Sequence, residues 1–353
     1  MTSGLHDVVA ADTVLSHSDS KSARLWLRGR PLEEAVHQLG YDGTVALLWE
    51  GFAGKGLTRE GIRTDLGAGR ERAFDRLGGW LASAPVLPPA AAMRAWLAVL
   101  PDDSTPGEIA SAVAVGAAAL VPQRRALPAV APDPTLSAPA DILRMMHGVP
   151  ATPAAVRALE TYFTVAVENG LGASSFAARV IASTRASLAC AVLGAYCAFT
   201  GPLHGAAPGP VLDMLEEARA SRDVDAWLER RLAAGERLAG FGNRAFPNGD
   251  PRADVLAEAL RQMGVDTPLS RFAANFEHRA LAALARHRPG QILRPNLELN
   301  AALLLDACGI PRDAFTLVFA AARVAGWLAH ALEQQKTGRL IRPKSRYVGP
   351  ELG

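Results

Sequence analysis

Cysteine and aromatic residues are scarce in this sequence, and each shortage narrows the class of protein. The chain has 3 cysteines in 353 residues, an odd number that argues against a disulfide framework. Cys190, Cys197 and Cys308 each lie in an apolar segment with helical periodicity, so we interpret them as small core residues in a reducing compartment. Aromatic residues make up 6% of the chain whereas alanine is abundant, a composition that favours closely packed helices.

The sequence also lacks an excess of either charge and a long apolar run. Its 37 Lys and Arg residues nearly balance 35 Asp and Glu residues, so a net charge of +2 gives no electrostatic signature of nucleic-acid binding. The longest apolar stretch, Ala314–Ala329, is interrupted by Arg323 and is shorter than the ~20 residues of a membrane span. Met1–Ser18 lacks the basic start and apolar block of a signal peptide. We therefore expect a cytoplasmic protein with neither nucleic-acid nor membrane partners.

Helical periodicity dominates the rest of the chain. Strand signals are limited to two short segments, Val8–Ala11 and Arg24–Arg28. Elsewhere apolar residues recur at helical spacing, and the sequence predicts an all-α fold. Ser174–Phe199 is apolar nearly all round and predicts one long buried helix. Gly67–Gly69 predicts a break before a helix that starts at Arg70.

The stretch Gly201–Arg252 is the most informative part of the sequence. Glycine and proline cluster at both of its ends, which predicts sharp turns and a close approach of the backbone to another group. One helical segment, Pro210–Leu238, lies between these two loops. Loops of this kind commonly build a site. A separate proline-rich segment, Gln123–Ala140, predicts a loop or linker.

Arginine provides the first candidate site residues. Arg323 lies inside an apolar helical segment, where a guanidinium is costly unless an anion or carboxylate meets it. A structural salt bridge and a ligand site explain it equally well. If Arg252 and Arg342 converged with Arg323, the three would suit a dicarboxylate, because a guanidinium binds a carboxylate through two hydrogen bonds.

One histidine and one glutamate complete the set of candidates. Of eight histidines, only His204 lies in a tight glycine-bounded turn before a helix, where the helix dipole favours a neutral imidazole. A satisfied structural histidine is the alternative. Glu298 precedes an apolar helix, so it is a helix-capping residue or a general base.

Five short motifs follow one another in the second half of the chain. They are Gly201-Pro202-Leu203-His204-Gly205, Gly240-Phe241-Gly242-Asn243-Arg244, Asp250-Pro251-Arg252, Ala322-Arg323-Val324-Ala325-Gly326-Trp327 and Ile341-Arg342-Pro343-Lys344. In this order and at this spacing they resemble the successive motifs of the citrate synthase family. The resemblance extends upstream through Ala173–Arg179 and Val9–Thr13, and covers nearly the whole chain except the proline-rich segment.

The resemblance implies an all-α homodimer with two domains. A large domain would comprise residues 1–205 and 305–353, and a small inserted domain, residues 206–304, would close over the substrate. Family members condense an acyl-CoA of the acetyl class with a 2-oxo acid such as oxaloacetate, giving a 2-hydroxy polycarboxylate and free CoA. The resemblance therefore implies a CoA thioester as co-substrate, no permanently bound cofactor and no metal.

Roles carry over by matching motif positions. His204 matches the histidine that stabilises the enol or enolate of the acetyl group. The carboxylates of oxaloacetate would be held by Arg252, Arg323 and Arg342, the last reaching across the dimer. CoA would be bound by Ala239, Gly240, Phe241, Gly242 and Arg294.

The sequence departs from the family pattern at several of these positions. Asn169 and Asn243 stand where the family has substrate-contacting histidines, Glu168 where an aspartate is usual, and Glu298 where the catalytic aspartate follows Pro-Asn-Val. Asparagine can donate a hydrogen bond to the acceptor but cannot act as an acid. Glutamate keeps the carboxylate of the base but displaces it by about 1 Å, and such a misplacement can cost about 10²-fold in rate.

Two functions remain open. The sequence predicts a condensing enzyme with altered substrate or reduced activity, in which Glu298 removes the α-proton and Asn243 and Asn169 hydrogen-bond the acceptor. The alternative is a catalytically silent paralogue that binds a ligand and acts through interaction or regulation. An unrelated helical scaffold is disfavoured because several motifs occur in one order.

Overall fold

The computed structural model describes residues 8–81, 87–124, 129–202, 204, 208–243 and 245–350. Its only sheet among these residues is a small antiparallel one near the N-terminus, formed by β1 (Ser16–Asp19), β2 (Arg24–Leu27) and β3 (Arg30–Pro31). The strand predicted at Arg24–Arg28 is confirmed as β2. The strand predicted at Val8–Ala11 is wrong, because this exposed segment has no neighbour to pair with; β1 lies further along the chain and pairs with β2.

Helices make up most of the remaining chain, which confirms the all-α class. In chain order they are α1 (Leu32–Glu34), a π-helical turn (Ala35–Leu39), α2 (Gly40–Trp49), α3 (Arg59–Leu81), α4 (Pro89–Ala98), α5 (Pro106–Arg124), α6 (Ala138–His147), α7 (Pro153–Ala166), α8 (Ala173–Ser183), α9 (Leu188–Phe199), α10 (Pro208–Ala220), α11 (Val224–Ala233), α12 (Pro251–Met263), α13 (Pro268–His287), α14 (Leu297–Ala307), a 3-10 turn (Arg312–Ala314) and α15 (Phe315–Thr337).

The helix α15 forms the centre of the fold. It packs against α5, α7, α8 and α9, and nearly all of its side chains are buried. The stretch Arg312–Thr337 is long and apolar enough to cross a membrane, but 89% of its most apolar window is buried inside the protein. Burial of a helix on all sides requires partners on all sides, and small alanine side chains allow these partners to approach closely.

The approach of α15 to the end of α7 is especially close at Gly326. A Cβ atom at this position would lie 2.0 Å from the Val167 carbonyl oxygen and 3.1 Å from a carboxylate oxygen of Glu168. No residue larger than glycine fits there without moving a helix. This contact brings the turn after α7 beside the middle of α15, where Arg323 lies.

Two predicted long helices are each divided in the structure. The helix predicted at Ser174–Phe199 breaks between α8 and α9, where Arg185 has a positive φ of 65° and the Ser187 side chain caps α9 by accepting a hydrogen bond from the Cys190 amide. Pro210–Leu238 is likewise divided into α10 and α11 at Asp223, whose side chain caps α11. In both cases a polar N-cap residue starts a new helix inside a continuous apolar pattern.

The glycines at positions 67 to 69 lie inside α3, so the break predicted there is wrong. A Cβ at Gly67 would lie 2.2 Å from the Pro134 carbonyl oxygen, and one at Gly69 would lie 2.5 Å from Ser111 Oγ. These glycines permit close packing. The predicted Gln123–Ala140 loop is helical as far as Arg124 and not helical from residue 129 to Ser137; residues 125–128 lie outside the described part.

The interpretation of the cysteines as core residues is correct for one of the three. Cys308 is buried, and burial raises the pKa of its thiol to about 12. Cys190 and Cys197 are exposed. They are seven residues apart on α9, a spacing that puts both on the side of the helix that faces away from its neighbours.

Two Gly→Ala substitutions in α3 separate the packing and propensity effects of glycine. Gly67→Ala is expected to lower the free energy of unfolding by about 1–3 kcal/mol, because its Cβ meets backbone that cannot move freely. Gly78→Ala is the matched control, since no atom lies within 4 Å of its Cβ position; it should raise the free energy of unfolding by about 0.5–1 kcal/mol. Urea unfolding measures both. Equal effects of the two substitutions would contradict the packing explanation.

Candidate active site

His204 lies just after α9 and is held by groups from two other helices. Its Nε2 lies 3.1 Å from the Ser174 amide nitrogen, which donates to it, and 2.8 Å from Ser174 Oγ. The Trp327 indole N–H donates to the same hydroxyl at 3.0 Å, so the hydroxyl proton is directed to His204. Nε2 is therefore the acceptor nitrogen, and Nδ1 carries the proton of the neutral ring.

The electrostatic surroundings also keep His204 neutral. Burial lowers the pKa of His204, and the positive charge of Arg323 lowers it further. The ring packs edge-on against Phe199, with 5.6 Å between the ring centroids. A neutral imidazole with one free N–H can donate a hydrogen bond to a developing oxyanion. Leu203, Gly205 and Arg244, which belong to the predicted motifs, lie outside the described residues.

Arg323 is a buried cation without a direct counterion among the described residues. Its side chain is 7% exposed, its Nε atom is buried without a hydrogen-bond partner, and its guanidinium lies 5.6 Å from the centroid of the Phe319 ring. Burial lowers the pKa of Arg323 to about 10, so the group is still protonated at neutral pH. The salt-bridge explanation is therefore not supported, and the guanidinium is available to an anionic ligand.

Glu168 lies close to Arg323 and organises the turn that carries Asn169. Its Oε1 accepts hydrogen bonds from Ser16 Oγ (2.8 Å), the Gly170 amide (2.7 Å) and His330 Nε2 (3.0 Å). Burial raises the pKa of Glu168, but His330 and Arg323 outweigh burial and hold it below its usual value. The carboxylate is therefore ionised. The Oδ1 atom of Asn169 is buried and has no partner among the described residues.

Asp250 plays a similar organising part on the opposite side of the site. Its two oxygens accept from the Arg252 amide (3.1 Å), Arg252 Nε (2.9 Å) and Nη2 (2.8 Å), Asn243 Nδ2 (2.8 Å) and the Leu297 amide (3.2 Å). Burial raises the pKa of Asp250, but the charge and hydrogen bonds of Arg252 outweigh burial and lower it overall. One carboxylate thus joins the Asn243 loop, the start of α12 and the start of α14.

Asn243 is fixed by this arrangement. Its Nδ2 donates to Asp250, and its Oδ1 accepts from the Ala245 amide at 2.9 Å. One amide N–H of Asn243 is left over for a ligand.

Glu298 lies in the first turn of α14 but does not cap the helix. The cap is Asn296, whose Oδ1 accepts from the Glu298 amide at 2.9 Å. No hydrogen bond or ion pair ties down the Glu298 carboxylate among the described residues. Burial raises the pKa of Glu298, and the charge of Asp250 adds to this while Arg252 opposes it. A half-buried, unconstrained carboxylate of raised pKa suits a general base.

The segment Ala239–Gly242 forms a tight loop against the start of α14. Gly240 and Gly242 have positive φ angles of 82° and 80°. The Gly242 amide donates to the Arg294 carbonyl at 2.8 Å, and the Asn296 amide donates to the Gly240 carbonyl at 2.9 Å. A Cβ at Gly240 would lie 2.9 Å from the Leu299 Cβ, which explains the predicted close approach. The Arg294 side chain is exposed beside this loop.

Electrostatic interactions connect four of the predicted residues. The charge of Arg323 acts on His204 and Arg252, and the charge of Arg252 acts on Glu298. Asp250 also joins Asn243 to Arg252 through hydrogen bonds. Arg342 is apart from them, in an exposed extended segment at residues 338–350. Among the described residues, no group of three or more His, Cys, Asp or Glu side chains is arranged to hold a metal ion.

Sequence reasoning missed several residues that hold the site together. Ser174, Trp327 and Asp250 lie inside motifs but were not assigned a structural part, and Ser16 and His330 were not connected with the site. The sequence signal for these residues was their place within a motif or near a candidate: Asp250 is two residues from Arg252, and Ser174 lies in the segment Ala173–Arg179 that resembles a family motif.

Comparisons with known proteins show what the whole chain is similar to. Residues 4–344 match a family model described as the C-terminal domain of citrate synthase. A Mycobacterium tuberculosis protein provisionally named citrate synthase 2 is 36% identical, over 98% of this chain and 92% of its own. The 2-methylcitrate synthase of the same species is 30% identical, over 99% and 90%. The crystal structure of citrate synthase from Thermotoga maritima superposes with a TM-score of 0.87 at 31% identity, covering 99% of this chain and 96% of that one.

Asp250→Asn tests whether the charge of this residue holds the site together. Every partner of Asp250 is an N–H donor, so an amide NH₂ must face a donor whichever way it is turned. The free energy of unfolding at pH 7 should fall by about 3 kcal/mol. Asp254→Asn is the control. Asp254 is exposed in the first turn of the same helix, and this substitution should lower the free energy of unfolding by about 0.5 kcal/mol.

The pH dependence gives a second readout of the same substitution. The pKa of Asp250 is lowered in the folded state, so its stabilisation is present above the ordinary pKa of 3.8 and is lost as the pH falls through the folded-state pKa. The difference between wild type and Asp250→Asn in urea unfolding should therefore shrink in acid. A difference that stays constant between pH 7 and acid would contradict this account.

Proposed function

The chain belongs to the citrate synthase family, and from this premise we propose that it condenses an acyl-CoA of the acetyl class with a 2-oxo acid of the oxaloacetate type. The products would be a 2-hydroxy polycarboxylate and free CoA. The names of two relatives, citrate synthase 2 and 2-methylcitrate synthase, make acetyl-CoA and propionyl-CoA the first donors to examine. The observation that carries the proposal is Arg323, a buried cation without a direct counterion beside a neutral histidine and an unconstrained glutamate.

The reaction would begin at the acyl group. Glu298 would take a proton from the α-carbon, and the Nδ1–H of His204 would donate a hydrogen bond to the oxygen of the resulting enol or enolate. The α-carbon then bonds to the ketone carbon of the acceptor, whose oxygen takes up a proton and becomes the hydroxyl. Water finally cleaves the thioester to a carboxylate and the CoA thiol.

The acceptor would bind between the two arginines. Arg323 and Arg252 would hold its carboxylates, with Arg342 supplied by a second copy of the chain, since this residue lies apart from the others in an exposed segment. Asn169 and the remaining N–H of Asn243 would donate to the ketone oxygen. Neutral amides stabilise a developing alkoxide less than protonated imidazoles do, so we infer reduced activity or an altered acceptor.

We extend the proposal to CoA, domain organisation and assembly. Ala239–Gly242 and Arg294 would bind CoA, because the loop presents backbone groups beside an exposed guanidinium. Residues 206–304 would form the small domain and residues 1–205 and 305–353 the large one. A homodimer follows from the assignment of Arg342 to the site of the other copy.

A catalytically silent ligand-binding protein is the alternative, and the fixed position of Asn243 favours it. Its Oδ1 and one of its two amide N–H groups are committed to structure, so the loop can be stable without taking part in chemistry. Such a protein would keep the arginine site and lose turnover.

Glu298→Gln tests the condensing activity. Thiol release from acetyl-CoA or propionyl-CoA in the presence of oxaloacetate is expected for wild type, and the substitution should lower kcat by about 10²- to 10⁴-fold while oxaloacetate still binds. Glu277→Gln is the matched control: this carboxyl group also has a raised pKa owing to burial, but it lies in α13, and kcat should be unchanged.

The alternative predicts a different pair of results. If oxaloacetate or CoA raised the melting temperature of wild type without thiol release from either donor, the site would bind what it does not convert. Thiol release that persisted in Glu298→Gln would remove Glu298 from the role of base.

The acid side of the activity profile should report the protonation of Glu298 and His204. Condensation requires an ionised Glu298 and a neutral His204, and burial raises the pKa of the first and lowers that of the second. The acid limb of kcat/KM should therefore lie above pH 4.5, the ordinary pKa of a glutamate, because protonation of either group stops the reaction and the pKa of Glu298 is raised. Stopped assays in buffers of constant ionic strength measure this limb. A profile that stayed flat down to pH 4.5 would speak against Glu298.

A further inference from the structure

Tyr162 is a buried tyrosine of α7 whose hydroxyl has no hydrogen-bond partner among the described residues. Two other buried tyrosines are satisfied, since Tyr196 donates to the Ala90 carbonyl at 3.1 Å and Tyr41 donates to the Ala321 carbonyl at 3.4 Å. A buried hydroxyl without a partner destabilises a protein, and most such groups in native structures are paired. The exception at Tyr162 therefore calls for a functional explanation.

The surroundings of Tyr162 connect it with Arg323. The Tyr162 and Phe319 rings have centroids 6.1 Å apart, and the Arg323 guanidinium lies 5.6 Å from the centroid of the same Phe319 ring. Burial raises the pKa of Tyr162 above its usual range, while the charge of Arg323 lowers it, so the two groups are near neighbours. The phenol keeps its proton at neutral pH and can only donate to an anion. Two donors without partners, the Tyr162 hydroxyl and Arg323 Nε, thus lie in one buried region.

Tyr162 and Arg323 lie on two neighbouring helices, α7 and α15. On α15, Phe319 and Arg323 are four residues apart and therefore on one face. The Phe319 ring lies beside both Tyr162 and the Arg323 guanidinium. Each of the two helices thus carries a polar group without a partner among the described residues next to the same ring.

We propose that Tyr162 is a ligand-binding residue of the acceptor pocket, and that its hydroxyl donates a hydrogen bond to the carboxylate held by Arg323. The inference rests on the proposed function and adds a residue to it. A guanidinium together with a neutral phenol suits a carboxylate oxygen, which can accept from both at once. On this inference the acceptor is a 2-oxo acid with one carboxylate that contacts both Arg323 and Tyr162.

Tyr162→Phe tests this assignment, because it removes only the hydroxyl and keeps the ring beside Phe163 and Phe319. Calorimetry should show oxaloacetate binding about 10- to 100-fold more weakly than to wild type, as for a lost hydrogen bond to a charged group. The KM for acyl-CoA should not change. Without ligand, the melting temperature should stay the same or rise, because the substitution removes a buried polar atom that had no partner.

Tyr196→Phe is the matched control and should behave in the opposite way. It leaves the Ala90 carbonyl without its donor, so the melting temperature should fall while the affinity for oxaloacetate stays at the wild-type value. Unchanged oxaloacetate affinity in Tyr162→Phe would overturn the inference. So would a lower melting temperature of unliganded Tyr162→Phe with unchanged affinity, because the hydroxyl would then serve the fold alone, for example through an internal water molecule.

A second carboxylate probe separates this inference from the proposed function. If wild type did not bind oxaloacetate, the proposed acceptor would be wrong, and the same variants would be compared by the thermal shift that citrate produces. A citrate shift that Tyr162→Phe reduces would support the role of Tyr162 in a carboxylate site. An equal shift in both, or binding of neither probe, would overturn it.

Discussion

The burial of one positive charge in the central helix is the constraint on which the site depends. Arg323 lies in α15, among apolar side chains, and no carboxylate forms a salt bridge with it among the described residues. Its charge is moderated by Glu168 nearby and by the face of the Phe319 ring. A cation held in this way costs stability in the absence of an anion and binds an anion strongly. The close contact of Gly326 with the end of α7 keeps this pocket in place.

Two buried carboxylates divide the task of positioning the groups around this charge. Glu168 joins the N-terminal strand, the turn after α7 and α15, whereas Asp250 joins the Asn243 loop, α12 and α14. Asp250 accepts hydrogen bonds through both of its oxygens, whereas Glu168 accepts three through Oε1 alone, and its Oε2 is buried without a partner among the described residues. The Glu298 carboxylate, by contrast, accepts no hydrogen bond from the described residues. Carboxylates that fix geometry, together with groups that stay free to react, are what a pre-organised site requires.

The candidates that stand out most clearly in the sequence share a property visible without a fold. Arg323 is a charge inside an apolar helix, and His204 lies in a turn bounded by glycine, so each breaks its local pattern. Tyr162 breaks no pattern, because a tyrosine in an amphipathic helix is ordinary until its hydroxyl is found without a partner. The helix break predicted at Gly67 was wrong because glycine permits both sharp turns and close helix packing. Only the position of the Pro134 carbonyl oxygen, beside Gly67, shows that this glycine serves close packing.

The sequence by itself determined the helical class and the ends of many helices, and it indicated the residues that we propose as chemically active. Periodicity and caps such as Thr152 act over a few residues, so they are legible in any short window. Tertiary structure alone decided which groups meet: Ser16 and Glu168 are 152 positions apart, Trp327 and Ser174 are 153 apart, and no local pattern connects them. It also decided that Arg323 has no salt bridge with any of the residues that the structure describes. Whether a buried charge is compensated depends on side chains from other helices, and the packing of those helices determines where these side chains lie.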